Sequence, residues 1–446
     1  MNKLIEKDLE FVWHPYTQMK DVRKFPPILV RKASGVKLYD DKGKFYYDSI
    51  SSWWCNVHGH NHPKIKQAIN KQLGKLEHVL FAGFTHQPAI ELAEKLIRLT
   101  GNKFAKVFYS DNGSTAVEVA LKMSFQYWRN LGNTAKRKFI CLDYGYHGDT
   151  VGTMSVSGID MFNDSFKPLF FPSFRTPSPY CYRCPMGKNR SSCILECARP
   201  LEKLLRERNK EICALVLEPI VLCAGGMIIY PKGYLEKAAA WAKKYNVHLI
   251  LDEVATGFGR TGRMFAYEHA SNINPDFLCL SKGISAGYMP LAATLTTEKI
   301  YRAFYADYSK KKTFFHGHTY TANPLACTAG LASLEIFKSE KTLANVKKMS
   351  LLLRNGLERF RGLDIVGDIR QIGTIGALEL VKDKMTKERF SPEKRLGFEI
   401  YKKSLREGLI LRPLGDIIYL FLPLAIKENE VKDILNRLYK ILNSFT

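Results

Sequence analysis

Val247-His248-Leu249-Ile250-Leu251-Asp252-Glu253 follows a helical run over 234–245. It precedes a second apolar run, Phe277-Leu278-Cys279-Leu280, that ends in Ser281-Lys282-Gly283. Short β-branched and aliphatic runs alternating with helix-length segments predict a parallel sheet with crossovers, an α/β layer fold. The alternation continues outward. Strands are expected over 106–109, 138–142, 213–217, 247–251, 277–280 and 291–295, and a helix over 115–131, stopped by Gly132. The ends read differently. Short strand-like pieces cover 36–39 and 45–48. Beyond a long helix starting near Pro324 come a helix over 392–407, strands near Ile410 and over 417–421, and a final helix to Leu442. The expectation is a large α/β domain over 64–330 with a mostly parallel central sheet. A smaller α+β domain is expected from the chain ends, 1–63 and 331–446.

Composition excludes several classes. With 446 residues, 46% hydrophobic and 25% charged, the chain can fill a sizeable core, which disfavours a disordered chain or a disulfide miniprotein. The net charge of +24 raises acidic partners, but no basic run exceeds three residues, as in Lys310-Lys311-Lys312. The pattern reads as a solvated basic surface, with no nucleic-acid partner expected. Residues 1–10 are polar with no apolar run behind them, so no signal peptide is expected. The most membrane-like stretch, 212–230, holds Glu218, Pro219 and Gly225-Gly226 and is a poor spanning helix. A cytoplasmic protein is expected, off the membrane, with its ten cysteines mostly reduced.

In open α/β sheets ligands bind beyond the carboxyl ends of the strands. Beyond the strand at 106–109 stands Gly113-Ser114 at a helix start, where free N–H groups suit a phosphate. Beyond 247–251 stands Asp252-Glu253, where a buried carboxylate needs a cationic partner. Beyond 277–280 stands Lys282, an amine able to form a Schiff base. Each feature alone has an ordinary structural reading: a helix cap, a surface ion pair, a solvated lysine. A phosphate site, a carboxylate and a lysine on one sheet edge are together what pyridoxal 5'-phosphate requires.

Leu249-Ile250-Leu251-Asp252-Glu253-Val254, Thr256-Gly257-Phe258-Gly259-Arg260-Thr261-Gly262, Pro275-Asp276 and Ser281-Lys282-Gly283 resemble the signature of the class III aminotransferases, with 30 residues from Asp252 to Lys282. The resemblance implies the fold-type I pyridoxal-phosphate-dependent transferase architecture, normally a homodimer with shared active sites. Further blocks are similar to one branch of that family: Trp13-His14-Pro15-Tyr16-Thr17-Gln18-Met19, Ser51-Ser52-Trp53-Trp54, His58-Gly59-His60-Asn61-His62-Pro63, Tyr146-His147-Gly148-Asp149-Thr150, Glu218-Pro219-Ile220, His316-Gly317-His318-Thr319 and Leu411-Arg412-Pro413-Leu414-Gly415. That branch converts 8-amino-7-oxononanoate to 7,8-diaminononanoate in biotin synthesis with adenosylmethionine as amino donor. Lysine is the donor in some relatives. The rival is an ω-aminotransferase acting on a diamine or ornithine-like substrate.

The resemblance also implies roles. Lys282 carries the cofactor and moves the proton, Asp252 pairs with the ring nitrogen, and Tyr146 lies on the ring face. Gly113 and Ser114 bind the phosphate. Thr319 reaches the phosphate from the partner subunit, with His318 beside it where some members carry proline. Arg412 grips the substrate carboxylate, Trp53 and Tyr16 supply aromatic wall beside Tyr146 and Lys282, and Gly317 leaves room for the chain. Tyr16 also stands next to the amino donor, while Trp54 is left open between contact and packing. His58, His60 and His62 alternate without a carboxylate or cysteine at ligand spacing, and no metal is assigned. Cys181, Cys184, Cys193 and Cys197 fall within 17 residues. They can make a structural zinc site or be packed thiols. The chemistry needs no metal.

Overall fold

The most continuous aliphatic runs become the middle of the molecule. The computed structural model describes residues 2–445; Met1 and Thr446, the outer ends of the two expected small-domain segments, lie outside them. Numbered along the chain, the strands are β1 (Val30–Ser34), β2 (Lys37–Asp40), β3 (Phe45–Asp48), β4 (Lys106–Ser110), β5 (Lys138–Leu142), β6 (Phe174–Thr176), β7 (Ile212–Leu217) and β8 (Val221–Leu222). They continue with β9 (Ile228–Ile229), β10 (His248–Asp252), β11 (Phe277–Leu280), β12 (Ala292–Thr296), β13 (Val366–Ile372), β14 (Ile375–Leu380), β15 (Leu409–Ile410) and β16 (Ile417–Phe421).

The central sheet has the order β4-β12-β11-β10-β7-β5-β6. Strands β7, β10 and β11 are buried at every position, as expected for strands covered on both faces. Alternation divides the two faces. Ile250 joins Val117, Ala120 and Phe277 under helix Gly113–Asn130, while Leu249 and Leu251 join Leu235 and Ala238 of helix Lys232–Lys244.

Two features depart from the expected sheet. β12 runs antiparallel to both neighbours, β11 and β4. Residues 281–291 hold only the 3-10 turn Lys282–Ser285 and a loop, too little for a helical crossover, so the chain doubles back. β6 adds an unforeseen seventh strand. It is short and flanked by Pro172 and Pro177, a composition confined to sheet edges.

The chain ends meet. β15 pairs in parallel with β3, Leu409 opposite Tyr47 and Ile410 opposite Asp48. β13, β14 and β16 form an antiparallel sheet covered by helices Thr342–Glu358 and Glu428–Asn443. The β13–β14 hairpin was not foreseen, although Gly373 with φ +56° marks its turn. The helix expected over 392–407 begins later, as Leu396–Arg406 behind a 3-10 turn. Among the described residues no helix is long and apolar enough to cross a membrane.

Candidate active site

Three strands deliver their ends to one place. β10 ends on Asp252, β11 is followed by Lys282, and β4 hands over to helix Gly113–Asn130. Between them lies a cavity of about 680 Å³ lined by Gly113, Ser114, Tyr146, His147, Asp252 and Lys282, among others. Among its lining residues Lys282 alone carries an amine.

Lys282 opens its 3-10 turn with φ +44°, a left-handed conformation that costs energy for a side chain with a Cβ. Its Nζ lies 5.1 Å from the Trp54 ring centroid. Trp54 is 4% exposed, stacks on Phe421 at 5.5 Å and donates Nε1–H to the Tyr419 hydroxyl at 3.2 Å. It therefore reaches the cavity and also packs the core behind it. Ser51, Ser52, Trp53 and Trp54 all have positive φ. Arg260 holds this turn. Fully buried, it donates to Ser51 Oγ (3.2 Å) and to the carbonyls of Leu422 (2.5 Å), Trp54 (3.3 Å) and Asn56 (3.2 Å). Burial pulls its pKa down to about 9.

The two carboxylates at the end of β10 have different surroundings. Asp252 accepts from the Val254 N–H at 3.0 Å and from His147 at 2.8 Å. A carboxylate only accepts, so His147 Nδ1 carries the proton of that bond. Among the described residues Glu253 has no ion-pair partner. It accepts from the N–H groups of Ala266 (2.9 Å) and Tyr267 (2.8 Å) and from Thr256 Oγ1 (2.9 Å). Burial pushes its pKa up to about 7. Glu218 lies behind Asp252 and accepts from the N–H groups of Tyr146 (3.0 Å) and Cys223 (2.9 Å). Burial raises it to about 7; His147 opposes the rise and Asp252 adds to it.

At the opposite end Asn112 caps helix Gly113–Asn130, forming a capping box with Thr115. A Cβ on Gly113 would stand 2.5 Å from Val254 Cγ1, so the absence of a Cβ lets the helix start pack closely against the turn that follows β10. Ser114 Oγ is already engaged, 2.7 Å from Thr150 Oγ1 and 3.0 Å from Thr153 Oγ1, and accepts the Thr150 N–H at 3.2 Å. Free donors at this end are therefore backbone N–H groups.

Tyr16, Trp53 and Arg412 gather at the mouth. The Tyr16 hydroxyl donates to Asp149 Oδ1 at 2.5 Å and lies 3.5 Å from the Tyr146 hydroxyl. Burial, then Asp149, raises its pKa to about 12. Its ring meets Trp53 edge-on at 5.7 Å and Phe162 at 5.3 Å. Arg412 Nη2–H donates to the Tyr16 carbonyl at 3.0 Å, and the guanidinium sits 5.0 Å from the Trp53 ring centroid. Tyr16 and Trp53 are 46% and 39% exposed, so this wall is open on one side in the single chain. Gly317 and Thr319 are also exposed and do not line the cavity. His318 Nδ1 lies 2.9 Å from Asp111 Oδ2, and Asp111 does line it. His58, His60 and His62 diverge to Ser333, Asp48 and Glu340.

Sequence reasoning missed His147, Glu218 and Arg260 as site residues. All three stood inside quoted blocks, but nothing local announces their partners.

The sequence matches the family described as aminotransferase class-III over residues 17–442. It is 45% identical to the adenosylmethionine-8-amino-7-oxononanoate aminotransferase of Geobacter sulfurreducens, over 98% of this chain and 97% of that one. A crystal structure of the enzyme of that name from Methanocaldococcus jannaschii superposes with a TM-score of 0.94 at 41% identity, covering 99% of both chains. An omega transaminase from Pseudomonas jessenii in complex with PMP superposes at 0.93 with 34% identity, covering 99% of this chain and 98% of that one.

Proposed function

We propose, since this chain belongs to the class III aminotransferases, that it transfers an amino group from adenosylmethionine to 8-amino-7-oxononanoate, giving 7,8-diaminononanoate, as a cytoplasmic homodimer holding pyridoxal 5'-phosphate. The observation that carries the reading is the meeting of Lys282, Asp252 and a helix start across one cavity of about 680 Å³. These residues fit the cofactor. Lys282 supplies the amine that would hold its aldehyde, and Asp252 the carboxylate for its ring nitrogen. The backbone at Gly113 and Ser114 supplies donors for its phosphate, and the absence of a Cβ on Gly113 keeps that approach close.

When bound, the cofactor supplies an electron sink for the charge left as a proton departs from carbon. The chain's own groups do the rest. Lys282 Nζ would move the proton at the reacting carbon. His147 Nδ1–H holds the Asp252 carboxylate in place at 2.8 Å. Tyr146, whose N–H is fixed by Glu218, lines the cavity and would help hold the cofactor there. Arg412, steadied by the Tyr16 carbonyl, would receive the carboxylate of the keto acid through its planar fork. Tyr16 and Trp53 would flank the aliphatic chain and the donor.

The homodimer reading rests on surface chemistry. Phe84, Tyr305, Tyr308, Phe315 and Tyr320 are each more than 60% exposed, and apolar exposure on this scale suits a partner. Gly317 and Thr319 stand on the same loop and would serve the partner's cavity. We also read 1–63 and 331–446 as one smaller unit, a division supported by β15 lying beside β3.

A spectral titration of the purified protein tests the donor. Adenosylmethionine alone should convert the bound cofactor to its amine form. Conversion by lysine alone would keep the reaction and change the donor. Conversion only by a diamine or ornithine would favour the ω-aminotransferase alternative. Lys282→Ala should abolish product formation, and measurable multiple turnover would overturn the assigned role.

A further inference from the structure

The proposed transamination uses none of Cys181, Cys184, Cys193 and Cys197. They lie on the connection from β6 to helix Arg199–Arg208, with spacing C-x2-C-x8-C-x3-C. All four are free thiols, and all four line one small cavity of about 10 Å³, room for a single small ion. Four thiols on one cavity wall supply the donor set of a tetrahedral soft-metal site.

Three further features suit a cation held by thiolates. First, the turns around the sulfurs are tight. Gly187, with φ +65°, donates its N–H to the Cys184 carbonyl at 3.0 Å, and Leu195, with φ +67°, lies between Cys193 and Cys197. Second, the Leu195 N–H donates to Cys193 Sγ at 3.3 Å, a contact of the kind that steadies metal-bound thiolates. Third, Lys188 and Arg190 stand on the cavity wall and would offset the negative charge of a tetrathiolate site, to which Glu196, hydrogen-bonded to Cys193 and to the Ile194 N–H, would add. Among the described residues no three His, Cys, Asp or Glu side chains are already gathered for a metal. Binding would therefore draw the thiols in from the wall. Residues 185–190 between the two cysteine pairs contain no buried side chain to resist that movement.

We propose that Cys181, Cys184, Cys193 and Cys197 bind one Zn²⁺ ion as a structural site. Each thiol gives up its proton to the solvent as its sulfur bonds the metal, so affinity rises with pH. The segment so fastened is a brace. Arg183 Nε–H donates to Glu379 Oε1 of β14 at 2.5 Å, Tyr180 also donates to Glu379, and Lys387 Nζ donates to the Tyr182 carbonyl at 2.8 Å. Tyr180 packs edge-on against Tyr144 at 5.5 Å, two residues before Tyr146 of the cavity. The ion would thus lock a link between the C-terminal sheet and the active-site loop.

The test uses the holoenzyme purified under reducing conditions, loaded with Zn²⁺, and in parallel with Co²⁺, then freed of loose metal by gel filtration. Roughly one equivalent of Zn²⁺ per chain should remain, and the Co²⁺ form should show thiolate-to-metal charge-transfer absorption. Cys184→Ser/Cys193→Ser should lose both while keeping the absorption of the bound cofactor. Should that variant not fold, the wild-type chain still decides. A strong chelator should expose about four more thiols to a thiol reagent and lower the unfolding temperature. Wild-type protein that retains no more metal than the variant, a Co²⁺ form without charge-transfer absorption, or thiols equally reactive with and without chelator would overturn the site.

Discussion

At the residue scale the site works through pairs. Asp252 is buried and its orientation depends on His147, whose side chain is 1% exposed. Removing one partner of a buried, charge-assisted hydrogen bond costs about 1.5–3 kcal/mol. His147→Ala should therefore weaken cofactor binding roughly 10- to 100-fold, read from the cofactor's absorption during titration; unchanged affinity would remove His147 from the site. Arg412 is half-buried and over Trp53. Arg412→Ala should raise the KM for the keto acid with little change in kcat. The loss should be about 2 kcal/mol, near the lower limit for a truncated charge pair because solvent reaches the mouth. Lys282, Asp252 and Gly113 were legible because each stands just past a strand whose apolar run is unmistakable. His147 and Glu218 were not, because His147 meets Asp252 across 105 residues and Glu218 meets Tyr146 across 72.

At the element scale the phosphate end depends on how close helix Gly113–Asn130 starts to Val254. A methyl group on Gly113 meets both Val254 methyls below 3.0 Å. Gly113→Ala should shift the helix start at a cost of about 1–3 kcal/mol and weaken cofactor binding. Gly113→Ala/Val254→Ala should restore much of that affinity, measured in the same titration. No recovery in the double variant would place the defect elsewhere. The helix itself was readable from its cap and its apolar stripe. The direction of β12 was not. Its buried run, Ala292 to Thr296, carries no mark of strand direction, and the reversal is set by the short connection after Lys282.

At the scale of the whole molecule the buried carboxyls couple folding to pH. Glu218 and Glu253 are each raised by burial to about 7 from 4.5. Between those values the folded chain keeps protons that the unfolded chain has released. Their contribution to stability is fully present below pH 4.5 and is lost as pH rises through 7. In the cofactor-free protein the unfolding temperature of Glu218→Gln should fall less than that of the wild type between pH 5 and pH 8. Equal slopes would show that Glu218 ionises at the same pH in both states.

The sequence by itself determined the α/β class, the three strand ends that carry the chemistry, and the spacing from Asp252 to Lys282. Those are properties of contiguous residues: apolar period, caps, and what stands one or two positions past a strand. The tertiary structure alone decided that Arg260 closes the left-handed turn at Ser51 to Trp54, that His147 meets Asp252, and that β15 lies beside β3. Each of these joins groups far apart in the chain, and such meetings are set by how the layers pack, which local propensity does not encode.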